Sequence, residues 1–217
     1  NFFPQIIPTI AGMYREDYPE VVERGEAVIA ILVKEEKAFR QTLRKGIKQL
    51  GTYADGGITG TELFTLYDTY GFPVELSTEE AAKAGIVVSG DWRAEFDEQM
   101  ARELILDHSR HPRHQRPIEN PDATAEGQNP LCGDELQLDL RIADGKIADV
   151  SFHGQGCSIS QAATSMLTEI VVGKTVEEAA ALESSDITGL IGIPLSPVRL
   201  KCALLGLGVL KVALHRH

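Results

Sequence analysis

Three cysteines and one aspartate carry the chemistry open to this 217-residue chain. Cys132 and Asp134 stand in Asn129-Pro130-Leu131-Cys132-Gly133-Asp134-Glu135, Cys157 in Gly154-Gln155-Gly156-Cys157-Ser158-Ile159-Ser160, and Cys202 in Arg199-Leu200-Lys201-Cys202-Ala203. Zinc and iron–sulfur clusters both favour thiolates in near-tetrahedral sites. Cys132, Asp134, Cys157 and Cys202 are therefore a candidate four-ligand set. An odd cysteine count, with the cysteines beside Gly, Asp or a helix, does not read as a disulfide framework.

Such a site needs elements that bring distant residues together. Leu136, Leu138, Leu140 and Ile142 alternate with polar residues, and Ala148, Val150 and Phe152 do so after Asp144-Gly145, which predicts a β-hairpin. A two-residue Asp-Gly turn sets Cys132 opposite Cys157 but places Asp149 across from Leu140 on the apolar face. A three-residue turn of Ala143, Asp144 and Gly145 pairs Leu140 with Ala148 and Leu138 with Val150, keeping that face apolar, and is the expected register. Either register lets the two sulfurs reach one metal, because facing strands lie about 5 Å apart. Ser158 to Val172 reads as a helix with Cys157 at its N-terminus, where the dipole and free N–H groups lower a thiol's pKa. Thr175 caps a short helix to Leu182, and Ser196-Pro197 opens a last helix from Val198 to about Leu214 with Cys202 in its second turn.

The formal charge is −11, with 10 basic against 17 acidic residues in 1–101 and 11 against 15 in 102–217. Both parts being acidic argues against general nucleic-acid or anionic-membrane binding. No apolar run approaches membrane-spanning length and no signal segment is seen, so the cytoplasm is the expected location.

In the first part, Pro4 and Pro8 could each open a helical turn, and a long amphipathic helix is expected from Pro19 to Leu50. Thr59 to Tyr70 is a short helix stopped by Gly71-Phe72-Pro73, and Ser77-Thr78-Glu79-Glu80 reads as the capping box of a helix ending at Gly85. Trp92, Phe96, Met100 and Leu104 predict one unbroken helix from about Asp91 to Ser109, and Arg113 to Asn129 an irregular loop. His108, His111 and His114 span a helix end broken by Pro112; the spacing does not converge three imidazoles, and a solvated or capping role is expected.

Tyr18-Pro19-Glu20, Leu66-Tyr67-Asp68-Thr69-Tyr70-Gly71-Phe72-Pro73 and Leu76-Ser77-Thr78-Glu79-Glu80 give residues 1–101 a resemblance to the helical middle domain of alanyl-tRNA synthetase. In that family the region packs beside the catalytic domain and helps present the tRNA acceptor stem. The class II motifs and the His-x-x-x-His editing motif are absent from this sequence, so aminoacylation is not expected, and the acidic balance speaks against tRNA binding.

Residues 102–217 resemble the SufU/IscU (NifU N-terminal-like) family of iron–sulfur cluster assembly proteins. The carriers are Leu106-Asp107-His108 with Pro112-Arg113, the two glycine-bordered cysteine motifs, and Pro197-Val198-Arg199-Leu200-Lys201-Cys202-Ala203. The resemblance implies an α+β chain: an all-helical N-terminal segment, then a small antiparallel sheet with helices on one face and the site at the sheet's end. It implies Cys132, Asp134, Cys157 and Cys202 as ligands of zinc, or of a transient iron–sulfur cluster. It also implies a cysteine desulfurase and downstream iron–sulfur assembly proteins as partners. Zinc would keep the thiols deprotonated, and a thiolate attacks an incoming persulfide, with Cys132 as the expected acceptor. Lys201 before the last cysteine resembles SufU, a sulfurtransferase branch, whereas the short stretch from Leu182 to Pro194 resembles IscU, the scaffold branch; SufU is the preferred reading. The competing class is a non-catalytic binding module with a structural zinc.

Overall fold

The computed structural model describes residues 2–53 and 55–216. The chain divides into two compact units, 1–96 and 97–217. Among the described residues, no helix is long and apolar enough to cross a membrane.

The first unit is helical. α1 (Phe3–Tyr14) carries Pro4 in its first turn, and α2 (Glu20–Glu23) and α3 (Gly25–Leu50) divide the single helix expected from Pro19 onward, with Arg24 outside helical geometry between them. α4 (Gly60–Asp68) starts at a capping box in which Thr59 and Glu62 satisfy each other's backbone N–H. α5 (Val74–Lys83) begins earlier than expected, directly after Pro73. Ser77 is therefore not a cap; it lies inside the helix, buried, with its hydroxyl donating to the Pro73 carbonyl at 3.1 Å. Leu50, Leu63, Leu66, Phe72 and Phe96 form this unit's core.

α6 (Trp92–Arg110) is the one unbroken helix that its apolar spacing predicts, and the boundary between units falls within it. Beyond it the expected irregular loop holds a strand. β1 (Ala123–Asn129) pairs antiparallel with β2 (Asp134–Ala143), which pairs with β3 (Lys146–Gln155), in the order β1-β2-β3. β1 escaped the sequence because its inward positions are Ala123, Ala125, Gly127 and Asn129, with too little apolar bulk to mark an alternation.

The hairpin register is also corrected. The turn is two-residue, Asp144-Gly145, with φ of 51° and 71°, so Ala143 pairs with Lys146 and Ile142 with Ile147. A bulge between Arg141 and Ile142 then shifts the pairing, setting Arg141 against Asp149, Leu140 against Val150 and Leu138 against Phe152. The irregularity removes the parity conflict: Asp149 never faces Leu140, and the leucines keep a common apolar face.

That face is covered by α7 (Ser158–Val171) and α11 (Leu205–Arg216), which pack on β3 and on β1 and β2 respectively. Leu138, Leu140, Val150, Phe152, Leu167 and Leu210 are at the centre of the core. α8 (Val176–Ala180) starts at the Thr175–Glu178 capping box, and α9 (Ser184–Ile191), which is not among the expected helices, starts at a Glu183–Asp186 capping box and closes on Gly192 in the left-handed conformation. The expected single last helix is two, α10 (Pro197–Ala203) and α11, broken at Leu204.

Candidate metal centre

Each candidate ligand sits where an element begins, ends or turns. The β1–β2 turn spans Pro130 to Gly133, with Gly133 at φ 72°, and Cys132 projects from it, exposed. Asn129 holds the turn: its carbonyl accepts the N–H of Cys132 (3.3 Å) and Gly133 (2.9 Å), and its Oδ1 accepts the Leu131 N–H at 3.2 Å. Asp134 opens β2 opposite Asn129 and is 1% exposed. Cys157 is the N-cap of α7, its Sγ accepting the Ser160 N–H at 3.5 Å. Cys202 lies in α10, held there by the Ser196 cap and Pro197 in the first turn, and is 3% exposed.

The fold brings Cys132, Asp134 and Cys202 together, with ligand atoms all within 4.8 Å of one another. Cys132 Sγ lies 3.0 Å from Cys202 Sγ and donates to Asp134 Oδ2 at 2.9 Å. Cys157 stands at the margin: its Sγ is 3.8 Å from Asp134 Oδ2, and its N–H donates to Asp134 Oδ1 at 2.9 Å. A Cβ on Gly156 would come within 3.1 Å of the Asp134 carboxyl, so glycine there keeps the space in which that carboxylate sits. Asn129 Nδ2 donates to Cys202 Sγ at 3.4 Å. Asn129 is thus the site residue that sequence reasoning missed, although it heads the first cysteine motif; its identity there was the available signal.

Burial first, then the neighbouring Cys132 thiol, the Asp134 carboxylate and Cys157, push the Cys202 thiol far above its ordinary value. For Asp134, burial works upward but is outweighed by hydrogen bonds from the Cys132 thiol, the Cys157 N–H and the other two thiols, so its carboxyl lies below the ordinary 3.8. Two thiols and a carboxylate in mutual contact present overlapping acceptor lone pairs, which a divalent cation offsets directly. The donor set suits zinc: with bonds of about 2.3 Å to sulfur and about 2.0–2.2 Å to oxygen, tetrahedral donors stand roughly 3.5–3.8 Å apart, an opening of roughly 1 Å or less from the contacts here.

The three histidines do not converge. His108 is buried, its Nδ1 2.8 Å from Ser165 Oγ; His114 Nδ1 is 3.1 Å from Thr168 Oγ1; His111 pairs with Asp107 at 3.3 Å. His111 is solvated as expected, but His108 and the half-buried His114 are fixed to α7.

Residues 100–217 match the family described as NifU-like N terminal domain, and residues 1–128 match tRNA synthetases class II (A). The chain belongs to both families. In its NifU-like part it is 35% identical over 130 residues to the iron–sulfur cluster assembly scaffold protein IscU of Streptococcus pyogenes serotype M1, covering 52% of this chain and 81% of that protein. It is 32% identical over 121 residues to the zinc-dependent sulfurtransferase SufU of Bacillus subtilis, covering 48% of this chain and 82% of the relative. The synthetase-like part is 39% identical over 107 residues to the alanine–tRNA ligase of Bordetella petrii; this covers 47% of the chain but spans only 12% of the ligase. The NifU-like part thus belongs to the family of these iron–sulfur cluster assembly relatives, and the part before it is related to alanine–tRNA ligase.

Proposed function

We propose that residues 102–217 act as a zinc-dependent sulfur acceptor, taking sulfane sulfur from a pyridoxal-phosphate cysteine desulfurase and passing it to downstream iron–sulfur assembly proteins. The observation that carries this is the convergence of Cys132, Asp134 and Cys202 within 4.8 Å at the end of the sheet, with Cys132 exposed. Cys132, Asp134, Cys157 and Cys202 are the residues to hold the metal, which when bound keeps thiols deprotonated at neutral pH. Cys132 is the acceptor, because it alone of the three cysteines sits in a turn, next to a left-handed glycine, where its backbone can move toward a partner's persulfide. Cys157 and Cys202 are anchors, fixed at a helix cap and in a buried helical turn. Asp134, held through Oδ1 by the Cys157 N–H, presents Oδ2 to the sulfurs and is the donor that can yield, being the hardest of the four. The Bacillus subtilis relative's description and Lys201 beside Cys202 support this branch.

A scaffold that builds a transient iron–sulfur cluster is the second reading. The Streptococcus pyogenes relative, named a scaffold, favours it, as does the short stretch from Leu182 to Pro194, which holds only α9. For residues 1–101 we propose a helical module like the middle domain of alanyl-tRNA synthetase.

Metal analysis of anaerobically purified protein separates the readings: zinc near one per chain supports sulfur transfer, iron with sulfide supports the scaffold, and neither removes both. Replacing Cys132, Cys157 or Cys202 by Ser is expected to abolish tight zinc binding, and full occupancy in two of the three variants ends the four-ligand assignment. With a desulfurase and cysteine, alkylation and mass spectrometry are expected to find persulfide on Cys132. Label on Cys202 with Cys132 unmodified overturns the acceptor; no label anywhere, with zinc retained, points to a structural zinc module.

A further inference from the structure

We propose that Cys132 and Cys202 are also a redox modification site: a peroxide joins their sulfurs in an intramolecular disulfide and thereby removes two donors from the metal centre. The consequence for the metal rests on the reading above; the disulfide itself rests on geometry alone. Residues 132 and 202 are 70 apart in sequence, yet their Sγ atoms stand 3.0 Å apart, so roughly 1 Å of approach reaches the 2.03–2.05 Å of a disulfide bond. The approach is available. Cys132 is exposed and lies in the Pro130–Gly133 turn, whereas Cys202 is fixed in α10, so the turn supplies the movement.

Cys157 is positioned differently. Its sulfur is engaged as the cap of α7 and lies beside Asp134, outside the group of ligand atoms within 4.8 Å of one another. Its backbone N–H is also held by the buried Asp134. Movement of Cys157 toward another sulfur disturbs both attachments, whereas closing Cys132 onto Cys202 disturbs neither.

Hydrogen peroxide is the oxidant class that fits, since the exposed partner is reached first. The Cys132 thiolate attacks one peroxide oxygen; the O–O bond breaks, leaving Cys132 sulfenic acid and, after uptake of one proton, water. The Cys202 sulfur then displaces the hydroxyl from Cys132. The S–O bond breaks, the S–S bond forms, and the Cys202 proton leaves with the hydroxyl as a second water. Two thiols lose two electrons in total, and one peroxide becomes two waters.

The test uses the full chain, zinc-loaded and chelator-treated, titrated anaerobically with hydrogen peroxide. Free thiols are then blocked, the chain is digested without reductant, and linked peptides are mapped, while a chromophoric chelator follows released zinc. The expected product is a Cys132–Cys202 link, formed about tenfold or more faster than any link involving Cys157 because the pair is already in contact. Zinc release should track the link, and dithiothreitol should restore both thiols and zinc binding. Cys202→Ser should lose the link and let Cys132 proceed to sulfinic acid. Linkage through Cys157 at an equal rate, links between chains, or wild-type Cys132 reaching sulfinic acid unlinked would overturn the proposal. A Cys132–Cys202 link in a protein that never binds zinc supports the modification and removes the metal reading; bound zinc with Cys132 unlinked does the reverse.

Discussion

His108 shows how a single residue can be misjudged from spacing. It sits on α6 at the expected helix end, yet the fold turns it inward, where Ser165 Oγ lies 2.8 Å from Nδ1 and accepts the Arg113 N–H at the same distance. His108 Nδ1 and the Ser165 hydroxyl thus share a buried hydrogen bond, while Nε2 faces Glu169 at 3.6 Å. Burial, followed by the charge of Arg113, lowers the His108 pKa from 6.5 against the opposing pull of Glu169 and Asp107. A lowered histidine pKa means that the unfolded chain binds the proton more readily. The stabilisation is therefore complete above about 6.5 and is lost as pH falls through the folded value. The thermal midpoint of the chelator-treated chain should drop below pH 6.5 more steeply than that of His108→Gln. Asp134 does not confuse the measurement, because its carboxyl lies below 3.8. Parallel profiles for the two proteins would show that His108 is not the group responsible.

At the scale of elements, the hairpin carries Asp134 and leads directly to Cys157, so its regularity near Gly154 matters to the site. Gly154 has φ 150°, and a Cβ there would lie 2.1 Å from the Glu135 carbonyl oxygen, which is backbone and cannot swing aside. Gly154→Ala should destabilise the sheet unit by about 2–4 kcal/mol, from strained φ together with overpacking. Gly145→Ala in the Asp144-Gly145 turn is the control: its φ is 71° but nothing lies within 4 Å of the added methyl, so a loss of about 1 kcal/mol is expected. Urea titrations of both variants provide the comparison, and equal losses would refute the close-approach account. Zinc affinity should also fall in Gly154→Ala, because residues 155–157 follow the displaced strand.

At the scale of the whole molecule, two separate cores among the described residues predict separable stabilities. Leu63, Leu66 and Phe72 belong to one cluster, and Leu138, Phe152 and Leu210 to the other. Calorimetry should resolve two transitions, of which chelation lowers only one, since metal binding contributes folding energy solely to the unit that holds the ligands. Leu66→Ala should lower the other by about 2–5 kcal/mol and leave the chelator-sensitive transition in place. A single transition shifted by both treatments would mean that the units unfold as one.

The sequence by itself determined what is local or carried by residue identity. The ligand types, the place of Cys157 at the N-terminus of α7, the continuous α6 and the presence of a hairpin all follow from short-range spacing and alternation. The cysteine motifs and the Leu66–Pro73 run were specific enough to mark both families. Only the tertiary structure decided which sulfurs touch. β1 has inward residues too small to be read as a strand, and its pairing depends on β2 supplying the partner groups, so the turn bearing Cys132 could not be positioned from sequence. The bulge after Arg141 depends on keeping one sheet face apolar under α7 and α11. Cys202 meets Cys132 across 70 residues because α10 packs on α7, a packing between elements that no local pattern encodes.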